Sequence, residues 1–251
     1  MKNSPVILLT GASGGVGQAA ARACAQQGAR IAVHFHTNQQ AADNLISDLP
    51  GSGHRPFAAD ITDPDAVLQL VNQVYSEMGQ LDVLVNNAGI SERHDITSID
   101  YATWQATWQR IMATNLTAAA NLSYCAAQVM LAQGGGRIVN VSSRGAFRGE
   151  PNMPWYGASK AGLNAMGQSL AQALGDKHIY VYTVAPGFIE TPMAAAVLAG
   201  AGGDAVRQQS TLGRVAQPAE VGEVIRYLAL QAPAFMTGGI IDVNGASYLR
   251  T

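Results

Sequence analysis

The chain has 251 residues, a formal net charge of −2, and 48% apolar against 13% charged residues. A chain of this length can bury a large core without a structural metal or disulfide, and α/β chains of this size are commonly one domain. The near-neutral charge gives no basic footprint for nucleic acid or for an anionic membrane, which argues against both as partners. We therefore expect one domain spanning residues 1–251.

No targeting or membrane segment stands out. Residues 1–10 hold one lysine and a short apolar run, which is too little for a signal peptide. No run approaches the roughly 18 apolar residues of a membrane span. Cys24 and Cys125 form no CxxC pair, so we predict two buried thiols in a reducing compartment and no metal site. A cytoplasmic protein is expected.

Short apolar runs alternate with longer helical patterns along the whole chain. In chain order the runs are 6–9, 31–35, 57–59 (the weakest), 81–85, 137–141, 179–184 and 240–243. This alternation is typical of βαβ units, whose right-handed crossovers place helices on both faces of a parallel sheet. The prediction is an α/β fold of the doubly wound Rossmann type, with a mostly parallel seven-stranded sheet.

Helix boundaries are marked between these runs. Thr62 is the predicted N-cap of a helix with Pro64 in its first turn. Gly28 and Gly79 are predicted to end the first and third helices in the left-handed conformation. Long helices are predicted over 101–133 and 154–174, and the glycine-rich break 200–203 is interpreted as a mobile loop.

The first strand leads into a glycine-rich loop. It reads Thr10-Gly11-Ala12-Ser13-Gly14-Gly15-Val16-Gly17, and a helix is predicted over 18–27. Between a strand and a helix, Gly11 permits the tight turn, Gly15 lets the backbone approach a pyrophosphate, and Gly17 allows close packing. The helix N-terminus offers unpaired N–H groups and a positive dipole end. A dinucleotide site is predicted, the alternative being a glycine-rich turn with no ligand.

The end of the second strand indicates which dinucleotide. An NAD site usually has an acid about 20 residues beyond the glycines, but no Asp or Glu precedes Asp43. The segment reads His34-Phe35-His36-Thr37-Asn38. His36, Thr37 and Asn38 can donate hydrogen bonds to a 2′-phosphate, and no carboxylate repels it. NADP(H) is therefore favoured over NAD(H), although His36 also fits a solvated loop.

Tyr156 and Lys160 are the candidate proton-transfer pair. They lie four residues apart near the start of a predicted helix, and so share one face. A nearby ammonium lowers the pKa of a phenol toward the range that general acid–base catalysis needs. This spacing is common by chance, but the fifth strand run delivers Ser142 and Ser143 to the same edge of the sheet.

In their order, these motifs resemble the short-chain dehydrogenase/reductase family, from residue 5 to about 248. The resemblance implies hydride transfer between a nicotinamide and a carbonyl or secondary alcohol, with Tyr156 as general acid/base. It assigns Lys160 to the nicotinamide ribose and to lowering the pKa of Tyr156, and Asn115 to positioning a water. Ser143, 13 residues before Tyr156, is the implied catalytic serine, with Ser142 as the alternative.

The resemblance also assigns cofactor contacts. Asp60 is expected to bond the adenine amino group, Phe35 lies where NAD-users carry Asp, and Gly14 where many NADP-users carry Arg or Lys. Residues 188–212 are expected to form a mobile lid. The other expected cofactor contacts are Gly11, Ser13, Gly15, Val16, Gly17, Ile61, Asn87, Ala88, Gly89, Tyr156, Lys160, Pro186, Gly187, Ile189 and Thr191.

Two strings, Pro-Gly-Phe-Ile-Glu-Thr at 186–191 and Val-Asn-Gly at 243–245, are similar to those of 3-oxoacyl-carrier-protein reductases. Those enzymes dock an acidic protein on basic residues, but 130–136 and 171–177 here hold one Lys beside one Asp. Docking by charge is therefore expected to be weak, and a small carbonyl or alcohol substrate is favoured. Arg144 or Arg148 is a candidate to meet a substrate carboxylate or phosphate, or is a solvated loop residue.

Two tryptophans bear on how the protein packs and assembles. Trp104 and Trp108 share a helix face, which indicates core or subunit packing. A homotetramer or homodimer is expected, as is usual in the family and for symmetric assemblies generally.

A catalytically silent, cofactor-sensing protein of the same fold is one alternative to the enzyme. A sugar-nucleotide epimerase is the other, but it usually needs a longer chain.

Overall fold

Seven strands form one all-parallel sheet in the order β3-β2-β1-β4-β5-β6-β7 in the computed structural model, which describes residues 4–250. The strands are β1 Val6–Leu9, β2 Arg30–Phe35, β3 Arg55–Ala58, β4 Val83–Asn86, β5 Gly136–Val141, β6 Ile179–Pro186 and β7 Ile240–Val243. The strand order reverses between β1 and β4, which opens a crevice at the carboxyl ends of these strands. The predicted Rossmann-type fold is confirmed.

Helices connect the strands on both faces of the sheet. They are α1 Gly15–Gln26, α2 Gln39–Asp48, α3 Pro64–Met78, α4 Tyr101–Met112, α5 Ala118–Gln133, α6 Gly145–Arg148, α7 Pro154–Leu174, α8 Pro192–Ala199, α9 Gly203–Arg207 and α10 Pro218–Leu230. Helices α1, α2 and α10 enclose one apolar core with the sheet, and α3, α5 and α7 enclose the other. None of the described helices is long and apolar enough to span a membrane.

The two cores follow from the alternation of side chains along each strand. In β1, Ile7 and Leu9 belong to one core, and Val6 and Leu8 to the other, and all four are fully buried. Because successive side chains point to opposite faces, a strand covered on both sides must be apolar throughout. This is why the strand runs are readable in the sequence.

The predicted N-cap of α3 is wrong by one residue. The side chain of Asp63 caps the helix by accepting from the Asp65 nitrogen at 2.9 Å. Thr62 instead donates its backbone N–H and its hydroxyl to Asp60 Oδ1, which uses it in the preceding turn. Gly28 (φ 82°) and Gly79 (φ 81°) adopt the left-handed conformation at helix ends, as predicted.

The long helix predicted over 101–133 is interrupted once. A π-helical turn, Ala113–Thr117, separates α4 from α5, and such turns inside α-helices are frequent at functional sites. Trp104 stacks on Trp108 in α4 and meets Trp155 at a ring distance of 5.2 Å. The tryptophan pair therefore packs within the subunit. Of the two cysteines, Cys24 is buried, but Cys125 is only half-buried.

Candidate active site

The glycine loop lies at the crevice, and two of its glycines are required by close packing. Gly11 has φ 61°, and a Cβ there would lie 2.9 Å from the Ala88 Cα. A Cβ on Gly17 would lie 2.4 Å from the Gly11 carbonyl oxygen, closer than any real contact. Both glycines therefore hold the turn against α1 and the end of β4.

The N-terminus of α1 is open to a ligand. The helix begins at Gly15, three residues earlier than predicted, and its N-cap Gly14 supplies no side-chain hydrogen bond. The N–H groups of Gly15, Val16 and Gly17 lie in the first turn, where no helical acceptor reaches them. A Cβ on Gly15 would lie 3.0 Å from Thr191 Cγ2, so this face of the loop lies opposite the segment after β6. Such an uncapped, positive helix end fits the pyrophosphate of a dinucleotide.

Asn87 connects the end of β4 to the glycine loop. Its Nδ2 donates to the carbonyl oxygens of Thr10 at 2.9 Å and Gly11 at 3.1 Å. The backbone nitrogens of Asn87 and Ala88 each donate to Thr10 Oγ1 at 3.0 Å. The side chain of Asn87 is thus engaged within the protein, and the backbone of Ala88 and Gly89 is what this segment presents to a cofactor.

The same loop is held by His34, whose role the sequence analysis missed. The Gly11 N–H donates to His34 Nδ1 at 3.2 Å, so Nε2 carries the proton and donates to the Ala59 carbonyl at 3.1 Å. Burial lowers the pKa of His34, which keeps the ring neutral. A histidine inside an otherwise apolar strand was the only available signal in the sequence.

The predicted 2′-phosphate residues lie at the surface, at the end of β2. Phe35 is 7% exposed and packs in the core, so it offers the ribose neither a contact nor a charge. His36, Thr37 and Asn38 are exposed. Asn38 Oδ1 caps α2 by accepting from the Ala41 nitrogen at 3.0 Å, which leaves its amide NH₂ free to donate.

Asp60 and Ile61, the predicted contacts on the adenine side, follow β3. Asp60 is exposed, and hydrogen bonds from the hydroxyl and then the backbone of Thr62 hold its pKa below the usual value. His36 Nε2 lies 3.9 Å from the Asp60 carboxylate. The Ile61 side chain is buried at 7% exposure, so only its backbone is available to a ligand.

Tyr156 and Lys160 lie in the first two turns of α7. Lys160 Nζ donates to the Val141 carbonyl at 2.8 Å and lies 5.9 Å from the centre of the Tyr156 ring. Burial lowers the pKa of Lys160 to about 8. Burial also raises the pKa of Tyr156, and a hydrogen bond with Ser143 offsets part of that rise. In the protein alone the net shift of the Tyr156 pKa is upward, opposite to the lowering expected from Lys160, and its main cause is burial.

The two candidate serines differ in what they contact. Ser142 is 4% exposed, and its hydroxyl donates to the Lys160 carbonyl at 3.3 Å. Ser143 is half-buried, accepts from the Gly145 nitrogen at 3.0 Å, and lies close enough to Tyr156 to lower its pKa. Ser143 is thus the serine that lies beside the tyrosine.

Asn115 lies in the π-helical turn and is fully engaged. Its Oδ1 accepts from the Ile90 nitrogen at 2.8 Å, and its Nδ2 donates to the Ile90 carbonyl at 2.9 Å and to Ser159 Oγ at 3.2 Å. Asn115 Oδ1 and Lys160 Nζ each lie 3.4 Å from the place a Cβ on Gly89 would take. The structure therefore brings Asn115 and Lys160 together beside Gly89, next to Tyr156 and Ser143.

The segment after β6 closes the far side of the crevice. β6 continues through Pro186, and the Gly187 nitrogen donates to the Val243 carbonyl at 3.0 Å. Ile189 forms an isolated parallel bridge with Ala216. Thr191 follows and faces Gly15. Of the predicted residues of this segment, Thr191 thus lies opposite the glycine loop.

Comparison with known proteins places the chain among dehydrogenases and reductases. A family model described as enoyl-(acyl carrier protein) reductase matches residues 11–246. The cis-4-hydroxycyclohexanecarboxylate dehydrogenase of Sinomonas cyclohexanicum is 37% identical, over 96% of this chain and 95% of that one. The 3-oxoacyl-[acyl-carrier-protein] reductase FabG of Thermotoga maritima is 35% identical, over 96% of both chains. A crystal structure of a putative NAD(P)-dependent gluconate 5-dehydrogenase from Beutenbergia cavernae, with bound NADP, has a TM-score of 0.88 at 28% identity, covering 97% of this chain and 96% of that one.

Proposed function

The chain belongs to the short-chain dehydrogenase/reductase family, and from that premise we propose that it interconverts a small carbonyl compound and its secondary alcohol with NADP(H), using Tyr156 as general acid/base. Members of the family are NAD(P)-dependent oxidoreductases, and this chain is one of them. The observation that carries the proposal is the meeting of Ser143, Tyr156, Lys160 and Asn115 at one end of the crevice.

The mechanism assigns each side chain one task. The nicotinamide, when bound, supplies or takes the hydride. In the reducing direction, the hydroxyls of Ser143 and Tyr156 donate hydrogen bonds to the carbonyl oxygen, and the phenol then gives its proton to the forming alkoxide. Because burial raises the pKa of Tyr156, the phenol holds that proton at neutral pH. Lys160, with a pKa of about 8, is the neighbouring cation that holds the ribose, and Asn115 fixes the loop at Ile90.

The preference for NADP(H) is supported by the end of β2. No carboxylate lies on β2, whereas His36, Thr37 and the Asn38 amide are exposed as donors. The uncapped start of α1 offers the pyrophosphate its N–H groups. The solved relative from Beutenbergia cavernae contains NADP.

A lid over residues 188–212 fits the same site. Ala194, Leu198 and Val215 form a small core with Phe188 and Val206, separate from the two large cores. A segment that buries so little apolar surface against the body opens at low cost. Backbone bonds between Phe188, Glu190 and Ala216 mark its hinge.

The relatives support two substrate classes. Hydroxycyclohexanecarboxylate and gluconate are small hydroxy acids, whereas FabG acts on a substrate attached to a carrier protein. Lys177, the one cation in the expected docking stretches, is paired with Asp176 at 3.0 Å. Without a free cation there, electrostatic docking of an acidic protein is weak, and the small substrate is favoured.

The deciding experiment is a panel of ketones and secondary alcohols with both cofactors, followed by the absorbance of the reduced nicotinamide. Turnover with NADPH above that with NADH supports the proposal. Equal turnover with NADH and NADPH contradicts only the proposed preference for NADP(H). Tight NADPH binding without turnover of any compound contradicts the enzyme and favours a cofactor-sensing protein.

A further inference from the structure

Two arginine side chains meet at one uncharged oxygen beside the candidate active site. Arg144, which directly follows Ser143, donates from Nη2 to the side-chain oxygen of Gln209. Arg148 donates from Nη1 to the same oxygen at 3.4 Å. Burial, and then the charge of Arg148, lowers the pKa of Arg144. Two cations that converge on a neutral acceptor repel each other, and an anion placed between them would relieve this repulsion.

The positive charge is not neutralised by the surrounding protein. Arg144 is only 2% exposed, and its one side-chain acceptor within residues 4–250 is Gln209. Its guanidinium lies 5.1 Å from the centre of the Phe188 ring. Arg148 Nε and Glu150 Oε1 are 3.9 Å apart, too far for a hydrogen bond. Arg144, Arg148 and Glu150 together leave one positive charge, and a buried cation without a partner is costly.

Arg144 also lines a cavity suited to a small acid. The cavity has a volume of about 160 Å³, comparable with a cavity that holds benzene, and its walls include the apolar Phe188, Val206 and Leu212. Two carboxylates also line it, but Asp242 is paired with Arg250 at 2.7 Å and Glu220 with Arg214. Ser247 lines it too, and its Oγ is buried without a hydrogen-bond partner among the described residues. A second arginine of the cavity, Arg214, is already bonded by both nitrogens to Glu220 at 2.7 and 2.8 Å.

The chain itself connects this group to the reacting serine, because Arg144 directly follows Ser143. Glu150 Oε1 and Ser143 Oγ lie 3.2 and 3.3 Å from the place a Cβ on Gly145 would take. Arg148 lies between Glu150 and Gln209, and Gln209 belongs to the segment expected to form the lid. The serine that would bind the substrate carbonyl is therefore followed directly in the chain by the arginine that faces Gln209.

We propose that Arg144, assisted by Arg148 and the Ser247 hydroxyl, binds the carboxylate of the substrate, which makes the substrate a small oxo acid or hydroxy acid. The inference rests on the proposed function, since it names the substrate class of the same site. The Gln209 oxygen occupies the position of one carboxylate oxygen. A carboxylate accepts a stronger, charge-assisted bond than an amide does, so the substrate displaces Gln209 from the arginines.

The test compares oxo acids with their methyl esters, which keep the carbonyl but lose the charge. We would measure kcat and KM with NADPH for 4-oxopentanoate, 5-oxohexanoate and the two esters. The wild-type protein should prefer the acids. Arg144→Gln should raise KM for the acids about 10- to 100-fold, the range expected for a lost charge-assisted bond, and leave the esters within about threefold. Arg144→Lys should lie between the two.

Arg226→Gln is the matched control, because that arginine lies on α10 outside the cavity lining, with its charge paired to Glu223 at 2.8 Å; it should leave both substrate types unchanged. An equal loss on acids and esters in Arg144→Gln, or a wild-type preference for the esters, overturns the inference. If that variant does not fold, the wild-type acid-to-ester ratio and the more exposed Arg148→Gln decide in the same way. If the wild type reduces the esters without any preference for the acids, the proposed function is still supported. If no substrate is turned over with either cofactor, the proposed function is contradicted.

Discussion

The backbone N–H of Gly11 donates to Nδ1 of the buried His34 across 3.2 Å, and the other ring nitrogen donates to the Ala59 carbonyl. The His34 ring thus connects the glycine loop to the segment after β3. The arrangement needs a neutral ring, because a protonated Nδ1 would direct an N–H toward the N–H of Gly11. Burial, the main cause, lowers the pKa of His34.

This bond predicts a stability that depends on pH. The folded-state pKa lies below the unfolded value of 6.5, so His34 is neutral in both states at high pH. As the pH falls below about 6.5, the unfolded chain binds a proton that the folded chain resists. The free energy of unfolding should therefore fall toward acid, with a slope of up to about 1.4 kcal/mol per pH unit from this group.

Urea unfolding of the wild type and of His34→Asn at pH 7.5 and 5.5 measures this effect as a difference of slopes. The variant should be less stable at pH 7.5 but lose less on acidification. His178→Asn is the control, since His178 is exposed and is not among the groups that shift the pKa of His34; it should follow the wild type. Parallel losses in wild type and His34→Asn would show that other groups cause the dependence.

A methyl group on Gly17 should be severely destabilising. Its carbon would lie 2.4 Å from the Gly11 carbonyl oxygen and 2.8 Å from the Ala12 Cα, and neither backbone atom moves without distorting the loop. Overpacking of this kind costs about 1–3 kcal/mol or more. Gly175→Ala is the control, because nothing lies within 4 Å of a Cβ there and its φ of −60° suits any residue. Equal midpoints of urea unfolding for the two variants would contradict the packing role.

A substitution at Gly14 should increase the preference for NADPH over NADH. Its φ of −86° is ordinary, and a Cβ would meet only the Gly11 carbonyl oxygen, at 3.5 Å. The position therefore accepts a long side chain. If the 2′-phosphate is bound near His36, Gly14→Arg adds a cation for it, worth about tenfold or more in kcat/KM with NADPH.

NADH, which lacks the phosphate, should gain nothing from Gly14→Arg. Gly14→Ala separates the effect of charge from that of lost backbone freedom, and should leave the NADPH-to-NADH ratio unchanged. An equal gain with both cofactors would place the phosphate elsewhere.

The sequence predicted what depends on local pattern and missed what depends on burial. The strands β1 and β7 and the helix α7 have the predicted bounds, because apolar period and capping residues are local properties. The N-cap of α3 is Asp63 and not Thr62, because Thr62 is bonded to the Asp60 carboxylate while Asp63 caps the helix with its own, a choice that the sequence pattern does not resolve. The partners of His34 and the raised pKa of Tyr156 arise from neighbours distant in sequence.

Assembly is a further prediction. Tyr101 and Tyr124, on α4 and α5, are 74% and 66% exposed, and large exposed aromatic side chains are enriched in interfaces. A homodimer or homotetramer should therefore sediment at a multiple of the 26.2 kDa chain. Tyr124→Lys should shift the distribution toward smaller species without changing the fold. A wild-type protein that sediments only as the single chain would refute the prediction.

Tyr156→Phe should retain NADPH binding and lose nearly all turnover. The substitution removes one oxygen from a site where Ser143 and Lys160 remain, and general acid–base groups contribute about 10²- to 10⁴-fold in rate. Because burial raises the pKa of Tyr156, wild-type reduction should be insensitive to pH between about 6 and 7.5. Alcohol oxidation, which needs the phenolate, should accelerate with increasing pH.

Tyr180→Phe, on β6 outside the site, is the matched control and should behave as wild type. Wild-type kcat in Tyr156→Phe, with NADPH affinity measured by fluorescence, would assign the proton to another group.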